Sequence, residues 1–209
     1  VINTADIDND EIEEVLQSIR HEFVIMCSIS TCPKIIRVFG IVTKIKGQIS
    51  IIMEYASNGS LRKYLNKNNE LSKVFVHNTI YDIAFAMEVL HENKIYHRDL
   101  KSDNVLLDGK LHAKVCDFGL SKAETLMTHT SNSSSSRGSN GTIAWQSPEE
   151  IYAEEDDDEK CDVYSFAITM YEILTRDIPW KGLTRKRLEA SVTHGKRPIY
   201  DKDFISSRY

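Results

Sequence analysis

The apolar positions fall into blocks of two different periods, and the blocks alternate with polar turns. From Asp10 to about Ile29, the residues Ile12, Val15, Leu16, Ile19, Phe23 and Met26 recur at helical spacing. Asp10 and Glu13 are placed to cap its first turn. Residues 1–10 are polar and acidic and read as a linker or loop. Two β-rich runs follow, Ile35–Val42 and Ile49–Tyr55, with the turn Lys46-Gly47-Gln48 between them, which is a hairpin pattern. Ser57-Asn58-Gly59-Ser60 signals another turn, and Leu61 opens a short helix. Helical spacing returns between Leu71 and Glu92, where Ile80, Ile83, Ala84, Met87 and Leu90 form a core stripe. Val105-Leu106-Leu107 predicts a buried strand. A strongly apolar helix starts near Asp162, with Met170, Ile173 and Leu174 on its stripe. Ile178-Pro179-Trp180 ends it, and Leu183–Val192 predicts one more helix. The class this implies is α+β, mainly α.

Composition narrows the field only a little. The chain has 209 residues, 41% of them hydrophobic and 27% charged, which is ordinary for a globular protein able to bury a core. A net charge of −5 argues against nucleic acid or an anionic membrane as the main partner. No apolar run approaches the roughly 18 residues of a membrane span, and no leader opens the chain. The acidic run Glu154–Glu159 reads as a solvated stretch before a helix, with a basic partner as the alternative. The four cysteines form no C-x-x-C pair, so neither a disulfide framework nor a zinc site is expected, and the compartment is read as cytoplasmic. Cys116 is read as a small buried strand residue, the alternative being a reactive thiol.

The densest chemistry lies in Tyr96-His97-Arg98-Asp99-Leu100-Lys101-Ser102-Asp103-Asn104, followed at a short distance by Val115-Cys116-Asp117-Phe118-Gly119-Leu120. Together they match the patterns H-R-D-L-x-x-x-N and D-F-G, and so resemble the catalytic and metal-binding loops of eukaryotic protein kinases. Other stretches are similar to the same family. Glu22 stands where the family's C helix carries an ion-pairing glutamate, although Glu13 and Glu14 compete and the spacing to Pro33 is about one residue long. Gly141-Thr142-Ile143-Ala144-Trp145-Gln146-Ser147-Pro148-Glu149 resembles the substrate-docking loop and its A-P-E triplet, with Ser147 for alanine. Asp162 resembles the buried aspartate that hydrogen-bonds the catalytic-loop backbone.

The resemblance implies a two-lobe fold, with an incomplete upper lobe over residues 10–55 (C helix plus hairpin) and a helical lower lobe over residues 56–209. It implies ATP and magnesium as cofactors and a protein Ser or Thr hydroxyl as acceptor. Asp99 would orient the acceptor proton, Lys101 would face the transferred phosphate, and Asn104 and Asp117 would hold magnesium. Met53 would guard the back of the nucleotide pocket, and the backbone from Glu54 to Ala56 would contact adenine. Arg98 would capture a phosphate on the following segment, for which Ser133, Ser134, Ser135, Ser136 and Ser139 are candidates. Lys101 and Gly141-Thr142 resemble serine/threonine kinases, whereas Asp162-Val163-Tyr164-Ser165-Phe166-Ala167 and Gly195-Lys196-Arg197-Pro198 resemble the tyrosine-kinase-like group.

The first glycine is Gly40 and the first lysine Lys34, so neither a glycine-rich loop nor a strand lysine precedes Glu22. The expectation is a partial kinase domain cut at both ends, weakly active or inactive alone, with an open apolar hairpin edge. A pseudokinase serving as a signalling scaffold is the alternative. The third reading is a plain helical interaction domain with accidental motifs.

Overall fold

The computed structural model describes residues 2–3, 23–24, 26–45, 48–68, 70–117, 142–152 and 158–200. β1 (Ile2–Asn3), β2 (Val38–Ile45) and β3 (Gln48–Met53) form an antiparallel sheet in the order β1-β3-β2. The hairpin is as expected; the linker reading is corrected at Ile2 and Asn3 alone, and the open edge is covered only at the Gln48–Ile49 end of β3. Ile2 and Asn3 pair with Ile49 and Gln48 and cover that end of β3. A strand edge presents unpaired N–H and C=O groups, and any extended segment that reaches it can satisfy them without a hydrophobic pattern of its own. Between Val38 and Gly40 the β2–β3 register shifts by one residue, which leaves Phe39 as a bulge with 61% of its surface exposed.

Below the sheet the chain is mainly helical. α1 (Leu61–Lys67) is capped by Ser60, whose hydroxyl accepts from the Lys63 amide. Ser72 does the same for Phe75 at the start of α2 (Lys73–Glu92). The buried face of α2 runs through Val76, Thr79, Ile83, Ala86, Met87 and Leu90. Ala84, placed on the stripe from sequence, is exposed, and Ala86 takes the core position. Residues two positions apart on a helix lie about 200° from each other round its axis, and the buried face runs through Ile83 and Ala86, a step of three.

β4 (Val105–Leu107) and β5 (Ala113–Val115) form a second antiparallel pair. Ile35 bridges to Val115, and Val115 also bonds Ile36 and Lys34, so the approach to β2 is pinned onto β5. The short α3 (Pro148–Tyr152) precedes α4 (Asp158–Thr175). That helix stops short of Ile178-Pro179-Trp180, because Arg176 turns left-handed at φ 64° and ends the run. α5 (Arg185–Thr193) closes the described chain. One core gathers Ile83, Leu90, Leu100, Leu107 and Ile173, and a second packs Leu188 and Val192 of α5 against Ile143, Ala144 and Trp145. No helix among the described residues is long and apolar enough to cross a membrane.

Candidate active site

The loop from His97 to Asn104 lies along one side of α4, and that side is polar. Asp162, Ser165, Thr169 and Glu172 follow at steps of three and four, so they share a helix face, and all four are buried. Asp162 Oδ2 accepts from the His97 amide at 2.8 Å, and Oδ1 accepts from the Arg98 amide at 2.7 Å. Oδ2 also meets His91 Nε2 at 2.8 Å. Thr169 Oγ1 donates to its own helix at Ser165 and, at 3.5 Å, to the Leu100 carbonyl. Glu172 accepts from both the amide and the hydroxyl of Ser102, at 3.1 and 2.6 Å. It takes two further donors, Trp145 Nε1 at 2.8 Å and Arg62 Nη1 at 3.0 Å. Burial pushes the Glu172 carboxyl above its ordinary range, and the Ser102, Trp145 and Arg62 donors only partly oppose that.

Within the loop, Asp99 Oδ2 receives Lys101 Nζ at 2.7 Å and Asn104 Nδ2 at 2.9 Å, and Nδ2 also reaches the Asp99 carbonyl at 2.8 Å. Asp99 Oδ1 is buried with no hydrogen-bond partner among the described residues. A carboxylate oxygen left bare in that way is costly unless it has something to accept from. His97 is fully buried. Its Nε2 donates to the Cys116 carbonyl at 3.0 Å, and its Nδ1 accepts the Asp99 amide at 3.3 Å. Those two bonds use up both ring nitrogens in the neutral tautomer. Burial, the larger influence, holds the imidazole below its ordinary value against the pull of Asp162 and Asp99.

Asp117 is delivered to this loop by its neighbour. The Cys116 amide donates to the Asn104 carbonyl at 3.0 Å while the Cys116 carbonyl receives His97, so the next residue emerges beside Asn104. Arg98 and Asp117 both have φ of 61°, a left-handed backbone that costs side-chain-bearing residues about 1–3 kcal/mol each and persists only where surroundings enforce it. Asp117 is exposed.

This donor set fits magnesium with a nucleotide. Asp99, Asn104 and Asp117 offer hard oxygens, and no protein donor among the described residues occupies Asn104 Oδ1. Among the described residues no three His, Cys, Asp or Glu side chains converge as a self-sufficient metal cluster. A magnesium ion here would complete its shell with phosphate oxygens and water, as that ion commonly does.

Residues 53–56, read from sequence as the hinge, meet β5 through the Glu54–Lys114 pair. Met53 is 36% exposed. The Glu54 amide already donates to the Arg37 carbonyl at 2.8 Å, which leaves only its carbonyl for a ligand. Its carboxylate turns away to Lys114 Nζ, at 3.0 Å, and that ammonium also reaches the Pro33 carbonyl. The Ala56 carbonyl accepts from Gly59. Glu22, Ser133, Ser134, Ser135, Ser136 and Ser139 lie outside the described residues.

Two contributors escaped the sequence reading. Leu106 is half-buried between fully buried Val105 and Leu107, so it faces the opposite side of β4. Glu172 was hidden inside the apolar run of α4. Its signal was the polar spacing Asp162, Ser165, Thr169, Glu172, which an apolar stripe cannot contain.

Over residues 4–207 the sequence matches the family model described as protein tyrosine and serine/threonine kinase. It is 39% identical over 167 residues to the serine/threonine-protein kinase CTR1 of Arabidopsis thaliana, covering 77% of this chain and 19% of that protein. It is 34% identical over 174 residues to the mitogen-activated protein kinase kinase kinase dlk-1 of Caenorhabditis elegans, covering 81% of this chain and 16% of the relative. Against the serine/threonine/tyrosine-protein kinase HT1 of Arabidopsis thaliana the identity is 43% over 136 residues, covering 64% and 33%. The chain thus spans between 16% and 33% of the length of these relatives.

Proposed function

We propose, since this chain belongs to the protein tyrosine and serine/threonine kinase family, that it transfers the γ-phosphate of ATP to serine or threonine hydroxyls of a cytoplasmic protein and not to nucleic acid. The observation that carries the reading is the meeting of Asp99, Lys101 and Asn104 with the residue that leads into Asp117. Asp99, whose side chain is partly exposed, accepts and orients the acceptor hydroxyl proton through its carboxylate. Lys101, already within 2.7 Å of Asp99, neutralises charge on the transferred phosphate. Asn104 and Asp117 hold magnesium, which when bound bridges the phosphates and offsets their charge. Met53, the Glu54 carbonyl and Ala56 border the adenine. Arg98 captures a phosphate placed on the segment containing Ser133–Ser136 and Ser139, and Glu22 is the ion-pairing glutamate of the upper lobe. The division into lobes falls near Ala56.

One observation favours the scaffold reading for these 209 residues. Lys34 and Lys114, the two partly buried lysines near the hinge, are engaged by Asp82 at 2.6 Å and by Glu54 at 3.0 Å, so neither is at hand to fix the phosphates. The test incubates the protein with magnesium, γ-labelled ATP and a mixed protein substrate, followed by phosphoamino-acid analysis. The expected label is on serine and threonine, and Asp99→Asn is expected to lower turnover by about 10²–10⁴-fold. Label unchanged in that variant would remove Asp99 from the role. No transfer at all, with ATP still bound, would favour the scaffold.

A further inference from the structure

A marked concentration of positive charge lies at the last described helix, α5. Between Lys181 and Arg197 stand six Lys and Arg residues and a single acid, Glu189, a net of +5 in a chain whose total is −5. The remainder of the molecule therefore carries −10. Arg185 is matched by Glu189 at 2.9 Å, Lys181 pairs weakly with Asp177 at 3.3 Å, and Arg197 lies over the Tyr164 ring. Lys186, Arg187 and Lys196 are exposed and have no ion-pair partner among the described residues. Three cations occupy the first turn of α5, which has no acid there, and the helix dipole opposes positive charge at that end. Folding alone gives no reason for them.

Their position gives one. The opposite face of α5, Leu188 and Val192, is buried against Ile143, Ala144 and Trp145. Those residues belong to the stretch that the kinase reading makes the substrate-docking loop. Lys186 and Arg187 therefore stand on the face of α5 turned away from that loop, and Lys196 follows three residues past the helix's other end. We propose that Lys186, Arg187 and Lys196 form a docking surface for an acidic segment of the protein substrate, separate from the residue phosphorylated. This deepens the proposed function and rests on it. The nine residues of α5 span about 14 Å at 1.5 Å each, matching roughly four or five residues of extended peptide. Nucleic acid is the poorer match, since its phosphates continue well beyond so short a patch, onto a surface of net negative charge.

The experiment reads binding without ATP, so its outcome is independent of whether phosphoryl transfer occurs. A fluorescein-labelled peptide bearing five consecutive Glu and Asp residues is titrated with the protein and followed by anisotropy. Binding is expected, weakening about tenfold or more between 0.05 and 0.3 M salt, because exposed charges are screened over that range. The double variant Lys186→Gln/Arg187→Gln relieves the unfavourable first turn and so should stay folded, yet it should also lose about tenfold in affinity. Adding Lys196→Gln should weaken binding further, whereas Lys73→Gln, on α2, should change nothing. A Gln/Asn version of the peptide should not bind. Unaltered affinity in the folded triple variant would overturn the proposal. So would tighter binding of a single-stranded RNA oligonucleotide or of phosphatidylserine vesicles, or association of the chain with itself in place of peptide. Loss of phosphoryl transfer with peptide binding retained would count against the kinase reading alone.

Discussion

Residues 97–104 and residues 53–56 border the same β4–β5 pair, yet different physics holds each in place. The first stretch is fixed by carboxylates that water does not reach: Asp162 and Glu172 have 1% and 0% of their surface exposed. Their bonds go to backbone amides as well as to side chains, so the path of the loop is specified and not just its termini. The second stretch is held by the Val38–Met53 strand pairing, by reciprocal bonds between Arg37 and Glu54, and by the Glu54–Lys114 ion pair, in which the Glu54 side chain is 30% exposed. A buried, fully donated carboxylate is rigid because losing any partner strands a charge. A pair whose carboxylate is still partly exposed can part and rehydrate that partner at less cost. The first stretch is therefore the more rigidly specified of the two, and the second the more yielding.

The largest expected effect comes from removing the rigid side's anchor. Asp162→Ala leaves the His97 and Arg98 amides and His91 without their acceptor, and should cost about 3–5 kcal/mol in chemical denaturation. A loss below about 1 kcal/mol would mean the loop is not specified by this carboxylate. Glu172→Gln keeps the shape but removes the charge facing Arg62 and Ser102, for an expected loss of about 1.5–3 kcal/mol by the same measurement. Third comes acid sensitivity. His97 is held neutral below its ordinary value of 6.5, so between that lowered value and 6.5 the unfolded chain binds a proton that the native chain refuses. Stability should fall as pH drops through this interval and level off above 6.5. In His97→Gln, which can still donate and accept, unfolding free energies measured across pH should lack that component; an identical profile would place the acid sensitivity elsewhere. The smallest effect belongs to the hinge. Lys114→Met should cost less than about 1 kcal/mol, partly masked at high salt. A cost matching that of Asp162→Ala would erase the contrast between the two stretches.

What could be read in the sequence tracks how local the determinant is. The loop from His97 to Asn104 announced itself because its chemistry is contiguous, and Asp162 was legible because the residues after it form a recognisable run. Glu172 was not, since its partners Arg62 and Ser102 lie 110 and 70 positions away and nothing nearby marks the pairing. The β1 strand was missed for a related reason. Ile2 and Asn3 form a strand because β3 has an edge to offer, and their own residue types carry no such instruction. Ala84 and Ala86 lie about 200° apart on α2, and which of those faces meets the core is set by distant residues.

Cys116 carries a consequence for covalent chemistry. It is 3% exposed, its thiol donates to the Asn104 carbonyl at 3.3 Å, and burial, followed by the adjacent Asp117 carboxylate, pushes its ionisation far above the ordinary thiol range. The nucleophilic thiolate is thus almost unpopulated at neutral pH, one residue from the place where an electrophile would be most disruptive. Oxidants and alkylating agents meet instead the half-buried Cys27 and Cys32, within the helical turn over 26–29 and in the loop after it. Oxidative damage would fall on that peripheral loop first and leave the oxygen donors of the site chemically intact.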